Sequence, residues 1–188
     1  MNEIEVYRTM IGQANDLLTR TVNDIEEENF GKRPGEHMNP ASFIYFHVLR
    51  HWDRDINVLS RGQTPETDLW HRASIGDAMD YHPEGLGLRG LGTGIGYTDE
   101  QVDAVPADRE TLARYQQLLH DETMAYLDEL DESEIHTEMT SEYLPGVSYD
   151  IAARLQHLVV HTAHHTGDMA YVKGALGQPD ATYAGARR

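Results

Sequence analysis

The segment LQHLVVHTAHHTGDMAYVKGAL, residues 155–176, decides the fold class of this chain. Its apolar residues recur at helical rather than alternating spacing, and it holds no proline before Pro179. His157, His161 and His165 follow at four-residue steps, so a helix places all three on one stripe. Two histidines one turn apart can offer their imidazoles to a single ion. Working back along the chain, FIYFHVLRHWDRD at residues 43–55 carries a second such pair, His47 and His51. The surrounding Phe43, Phe46, Leu49, Leu158, Val159 and Val160 are apolar, and an imidazole buried among them without a partner costs free energy. One histidine pair alone is most simply chance; two on separate helices point to a metal site inside a bundle.

Four long helices are expected. The first runs from about Asn2 to Glu27, with Ile4, Met10, Ile11, Leu17, Leu18 and Val22 at mostly helical spacing. The second runs from Asn39 and Pro40, read as N-cap and first helical residue, to about Ser60. The third spans about Asp108 to Leu130, with Leu112, Tyr115, Leu118, Leu119, Met124 and Leu127 inward. The fourth starts near Ser148, an N-cap candidate, and ends near Leu176, before Gly177 and Pro179. An insertion over about residues 62–107 separates the second helix from the third, with short helices expected near Ser74–Met79 and after Thr98. Its centre, GLGLRGLGTGIG at residues 85–96, lacks a phosphate-loop lysine and reads either as a cover for the metal or as plain turns. No strand pattern or internal repeat stands out. The expectation is an all-α chain: one domain over residues 1–188, an up-down bundle with one long crossover.

Composition narrows the function. Thirty-two acids against 15 lysines and arginines give a formal charge of −17, which disfavours phosphate backbones and anionic lipids as partners. No nucleic acid or membrane partner is expected, and with no leader-like or spanning segment the cytoplasm is the expected compartment. The absence of cysteine removes disulfides, thiolate ligands and any protein thiol nucleophile. Arg50 and Arg54 beside the His47 face could meet an anionic substrate or pair with local acids. Trp52 and Trp70 read as packing, and the acidic run at residues 128–134 as a solvated helix end.

The stretch His161-Thr-Ala-His164-His165-Thr-Gly167-Asp168 resembles the last-helix signature H-x-x-H-H-x-G-Q of the DinB-like superfamily. Phe46-His47-Val-Leu-Arg50-His-Trp-Asp53 is similar to its W-H-x-x-R-x-x-D pattern, and Thr93-Gly-Ile-Gly-Tyr-Thr-Asp-Glu-Gln-Val102 to a stretch of one actinobacterial branch. Asp168 stands where glutamine is usual, and Phe46 where tryptophan is common. The resemblance implies an up-down-down-up four-helix bundle with a metal triad of His47, His161 and His165, leaving His51, His157 and His164 as non-ligands. Zinc, nickel or ferrous iron would suit three neutral nitrogens with open positions. Asp168 could orient His165 or simply be a solvated acid. The resemblance further implies a small-molecule substrate, a homodimer, and a thiol-dependent S-transferase using mycothiol, bacillithiol or glutathione. The rival readings are a metal-dependent hydrolase and a metal-stabilised binding or stress-response module.

Overall fold

The computed structural model describes residues 2–178. Helix α1 (Glu3–Asn23) opens on a reciprocal cap: the Asn2 side chain accepts from the Glu5 amide at 2.9 Å, and the Glu5 carboxylate accepts from the Asn2 amide. Helix α2 (Ala41–Asp53) takes Pro40 as its N-cap, one position later than the expected Asn39, and no side chain caps it. It continues over Arg54–Ser60 as a π-helix, whose wider turn changes the angular phase of the residues. All seven residues of that segment are buried, a pattern that a one-sided α-helical face would not give. Helix α3 (Arg109–Glu129) begins at Asp108, whose carboxylate accepts from the Thr111 amide at 3.0 Å.

Helix α4 (Ile151–Ala175) is capped by Asp150, which accepts from the Ala153 amide at 2.7 Å. Ser148, the residue expected to cap it, lies instead in a two-residue strand. Strands β1 (Met139–Thr140) and β2 (Ser148–Tyr149) pair antiparallel, an element too short to leave a period in the sequence. The end of the first helix also differs: α1 stops at Asn23, and a separate short helix follows at Glu27–Phe30.

The long helices are held along their lengths. His136 bridges the starts of α1 and α4, at 3.0 Å from Glu3 and 3.1 Å from Asp150, while Lys173 pairs with Asp24 at their ends. These two helices therefore run the same way. Helices α2 and α3 run together in the opposite sense, joined by Tyr45 to Gln116 and by Trp52 to Thr123 (2.8 Å). Ile11, Leu18, Leu49, Leu112 and Leu155 are fully excluded from solvent at the centre. Leu118 and Met124 pack at its margin, whereas Met10 and Leu17, on the outer side of α1, are 38% and 41% exposed.

Short helices at Leu69–Arg72, Ile75–Met79 and Asp99–Asp103 give the insertion its local order, the last with a Thr98–Gln101 capping box. A buried polar knot ties it to the bundle. Asp53 accepts from the Leu69 and Trp70 amides at 3.0 and 2.9 Å, from Asn57, and from the Tyr115 hydroxyl. Arg50, completely buried, lies 3.1 Å from Asp68 and 3.6 Å from Asp53, its guanidinium over the Trp70 ring. Local acids are thus the partners of Arg50. Trp52 and Trp70 are both buried as packing. No helix among the described residues is long and apolar enough to cross a membrane.

Candidate metal centre

Helices α2 and α4 cross with their histidines face to face. His47 Nε2 lies 3.2 Å from His161 Nε2. The edge of a tetrahedron built on metal–nitrogen bonds of 2.0–2.1 Å is about 3.3 Å, so two imidazoles at this separation suit one ion. A hydrogen bond would span the same distance, and the neighbours decide between the two. His51 completes a group with His47 and His161 in which the ligating atoms all lie within 4.8 Å of one another. Its Nε2 is buried with no hydrogen-bond partner among the described residues. A direct His47–His161 bond would engage only those two rings, whereas a cation between them could take a third imidazole from either His51 or His165.

The tautomers support this. The Thr93 carbonyl can only accept, so His47 Nδ1–H donates to it at 2.6 Å and Nε2 carries the free lone pair. His165 Nδ1 lies 2.8 Å from the Asp168 carboxylate, which orients that ring in the same manner. The Asp168 side chain therefore has a partner, although it remains 46% exposed. Burial, followed by the neighbouring histidines, lowers His51 well below the ordinary range and brings His161 down to about 2. Burial also brings His47 down to about 4, against the opposing pull of the Thr93 carbonyl. The three rings are neutral at physiological pH, the form a metal requires.

The expected triad is only partly gathered by the tight group. His165 has its ring 4.8 Å from that of His47 and 4.4 Å from that of His161, yet its ligating atoms group with His164 and Asp168. His51, read from the sequence as a non-ligand, is closer to the other two than that reading implied. His157 turns away to Asp55 at 2.6 Å, a bond that raises its pKa. Thr93 was missed as a partner of His47 because a backbone carbonyl leaves no residue-type signal.

The glycine-rich loop lies against this cluster. Gly94 has φ of +91°, and a Cβ there would stand 3.0 Å from Phe43 and 3.2 Å from His47 Nδ1. A side chain would press on the ring that the neighbouring carbonyl positions. On one side of the loop, a cavity of about 320 Å³ is bounded by His47, Gly94, His165, Asp168, Phe43 and Tyr171, among others. On the other side, a second cavity includes Thr93 and His51 in its wall.

The family model of the DinB superfamily matches residues 10–169. The chain belongs to the DinB superfamily. A solved structure described as the conserved protein of locus from Enterococcus faecalis is similar to it with a TM-score of 0.73 and 17% identity, over 95% of this chain and 99% of that one. At that identity the likeness speaks for the fold alone. Comparison with curated proteins finds no match. Superfamily membership and the histidine clusters together support a DinB-like protein able to bind a metal.

Proposed function

We propose that this DinB-superfamily protein holds one divalent transition ion, zinc, nickel or iron, on His47, His161 and His165, and transfers a low-molecular-weight thiol to a small electrophile. The observation that carries the reading is the 3.2 Å approach of His161 Nε2 to His47 Nε2, the His47 tautomer being fixed by the Thr93 carbonyl, with His47 and His165 both bordering a cavity. His165 is preferred to His51 as third ligand because Asp168 orients it and because it borders the larger cavity. Bound there, the ion would supply the positive charge that lowers the pKa of a thiol in the open position.

The chain's own residues do the rest. Phe43, Ile44 and Val172 give the cavity an apolar wall that limits water, while Asn39 and Tyr171 offer polar groups at its edge. Thr93 and Asp168 hold the two rings in place through Nδ1. With no cysteine in the chain, the sulfur must come from outside.

Elemental analysis of protein purified without chelator tests the first half: about one first-row ion per chain is expected. His161→Ala and His165→Ala should lose it, and His51→Ala should keep it. Full retention in both of the first two removes the site, and loss in the third exchanges His51 for His165. The second half is tested by thiol transfer from mycothiol, bacillithiol or glutathione to chloro-dinitrobenzene, which His47→Ala should abolish. Metal-dependent ester hydrolysis without thiol transfer would put a hydrolase in its place; neither activity would favour the binding module.

A further inference from the structure

The second cavity, about 160 Å³, is enclosed by the π-helical end of α2, the start of α4, the glycine-rich loop and Tyr143–Leu144. The fold gives it an unusual charge. Arg54, Arg89 and Arg154 all line it, three of only 15 lysines and arginines in a chain of net charge −17. His157 joins them, and Asp55 is the one acid in the lining. Asp55 is already engaged, at 2.6 Å from His157 and 3.6 Å from Arg154.

Hydrogen-bonding capacity is left over. Arg54 is 8% exposed and donates Nη2 to the Leu91 carbonyl at 2.8 Å, but its Nε and Nη1 are buried without hydrogen-bond partners among the described residues. Asp68 stands 3.8 Å from that Nε, beyond hydrogen-bond length. Arg154 Nε is likewise unpartnered, and so is His51 Nε2. A buried guanidinium with unmade bonds is costly, and an acceptor entering beside it recovers that cost. The remaining wall is apolar: Val58, Leu59, Leu88, Leu91, Ile95 and Leu144.

We infer that this cavity binds a small organic acid, its carboxylate on Arg54 and Arg154 and its apolar body against the leucine wall. Apolar cavities of about 150 Å³ admit a benzene ring, so the site takes an aromatic or short aliphatic monocarboxylate. The mixture of forked donors and leucines suits such an acid better than inorganic phosphate, which has no apolar part to bury. Because His51 and Thr93 form part of its wall, the acid sits beside the histidine cluster. That it belongs to the substrate of this centre rests on the metal and thiol reading above; that it binds does not.

Benzoate is the probe, titrated calorimetrically into full-length protein freed of metal with chelator, then into metal-loaded protein. Millimolar or tighter binding is expected in both. Benzyl alcohol, the same size without the charge, should bind at least tenfold more weakly. Arg154→Gln should weaken benzoate by at least tenfold, and Leu144→Trp, which fills the cavity from the loop, should abolish binding while leaving the helical circular dichroism unchanged. Leu144→Trp keeps the test decisive if Arg154→Gln fails to fold. Equal affinity for benzoate and benzyl alcohol overturns the inference. So does unchanged binding in the folded variants, or binding of inorganic phosphate in preference to benzoate. Benzoate binding in a protein that shows no thiol transfer upholds this site and counts against the reading above, so the two fail separately.

Discussion

Helix α2 serves two polar clusters, one buried and one half-buried, and they are built on opposite principles. Toward α3 and the insertion, Arg50 and Arg54 face Asp53 and Asp68, each with an opposite charge within 4 Å. Toward α4, His47, His51 and His161 face one another, and neutral imidazoles cannot all satisfy their neighbours. The first cluster balances its charges within the protein, although Arg54 Nε and Nη1 keep unmade hydrogen bonds. The second leaves His51 Nε2 without a partner among the described residues. Burial of polar groups does not therefore by itself mark a functional site; a set of like groups with an unpartnered nitrogen is the better candidate. The comparison can be broken at either cluster.

The largest effect is expected in the charge-balanced cluster. Asp53→Asn removes the charge facing Arg50 and leaves one oxygen for the amides of Leu69 and Trp70, which the carboxylate serves with two. Losing one partner of a buried pair costs about 3–5 kcal/mol. For a chain of this length that lowers Tm by roughly 6–20 °C. Thermal unfolding of metal-free protein measures it, and a shift below about 3 °C would mean that Asp53 is not holding the insertion.

The histidine cluster answers to pH instead. His47 and His161 titrate below their ordinary range when folded, at about 4 and about 2, because burial opposes their charge. The unfolded chain then binds more protons than the folded one below pH 6.5, so stability rises with pH. The contribution is whole above the unfolded pKa of about 6.5 and is lost as pH falls toward 4. On the order of 2 kcal/mol should disappear between pH 6.5 and 5, in chelated protein followed by urea unfolding. His47→Gln should flatten that slope; an unchanged slope would place the titration elsewhere.

How much of this the sequence shows depends on the reach of each signal. Period carried the long helices, and α3 starts at Asp108 where it indicated, whereas the caps read at Asn39 and Ser148 were displaced to Pro40 and Asp150. Local chemistry carried the short helix at Asp99–Asp103, whose Thr98 and Gln101 form a box within three residues. The histidine stripes were legible because a four-residue step is itself the geometry of a helix. The π-helical turn was not, since nothing in RDINVLS marks the wider winding that brings Arg54 and Asp55 to the second cavity. Nor was the choice among His51, His165 and their neighbours, because ring orientation depends on partners that spacing does not reveal, as for His47, which is oriented by the Thr93 carbonyl 46 residues away. Asp53 could be seen as part of a pattern, yet its task of anchoring Leu69 and Trp70 is a long-range pairing with no periodic trace.

The smallest effect sharpens the comparison most, because it has the opposite sign. His51 Nε2 is a buried nitrogen without a partner, so in metal-free protein the ring is desolvated without return. Leucine fills a similar volume and brings no polar atom. Replacing an unsatisfied polar group by an apolar one of like shape is neutral or stabilising, by about 1 kcal/mol here, whereas the same treatment of Asp53 is costly. The His51→Leu protein should therefore unfold at the same or slightly higher urea concentration than its parent once both are chelated. If His51 is not a ligand, the variant should also keep its ion on reloading, and the gain should persist. If it is one, the chelated proteins still order the same way, but the parent gains more from added metal, since an ion stabilises the fold only to the extent that it binds. A loss of more than about 1 kcal/mol in the chelated variant would contradict the comparison, because it would show that the His51 ring makes a stabilising interaction within the protein, as the charged groups around Arg50 do.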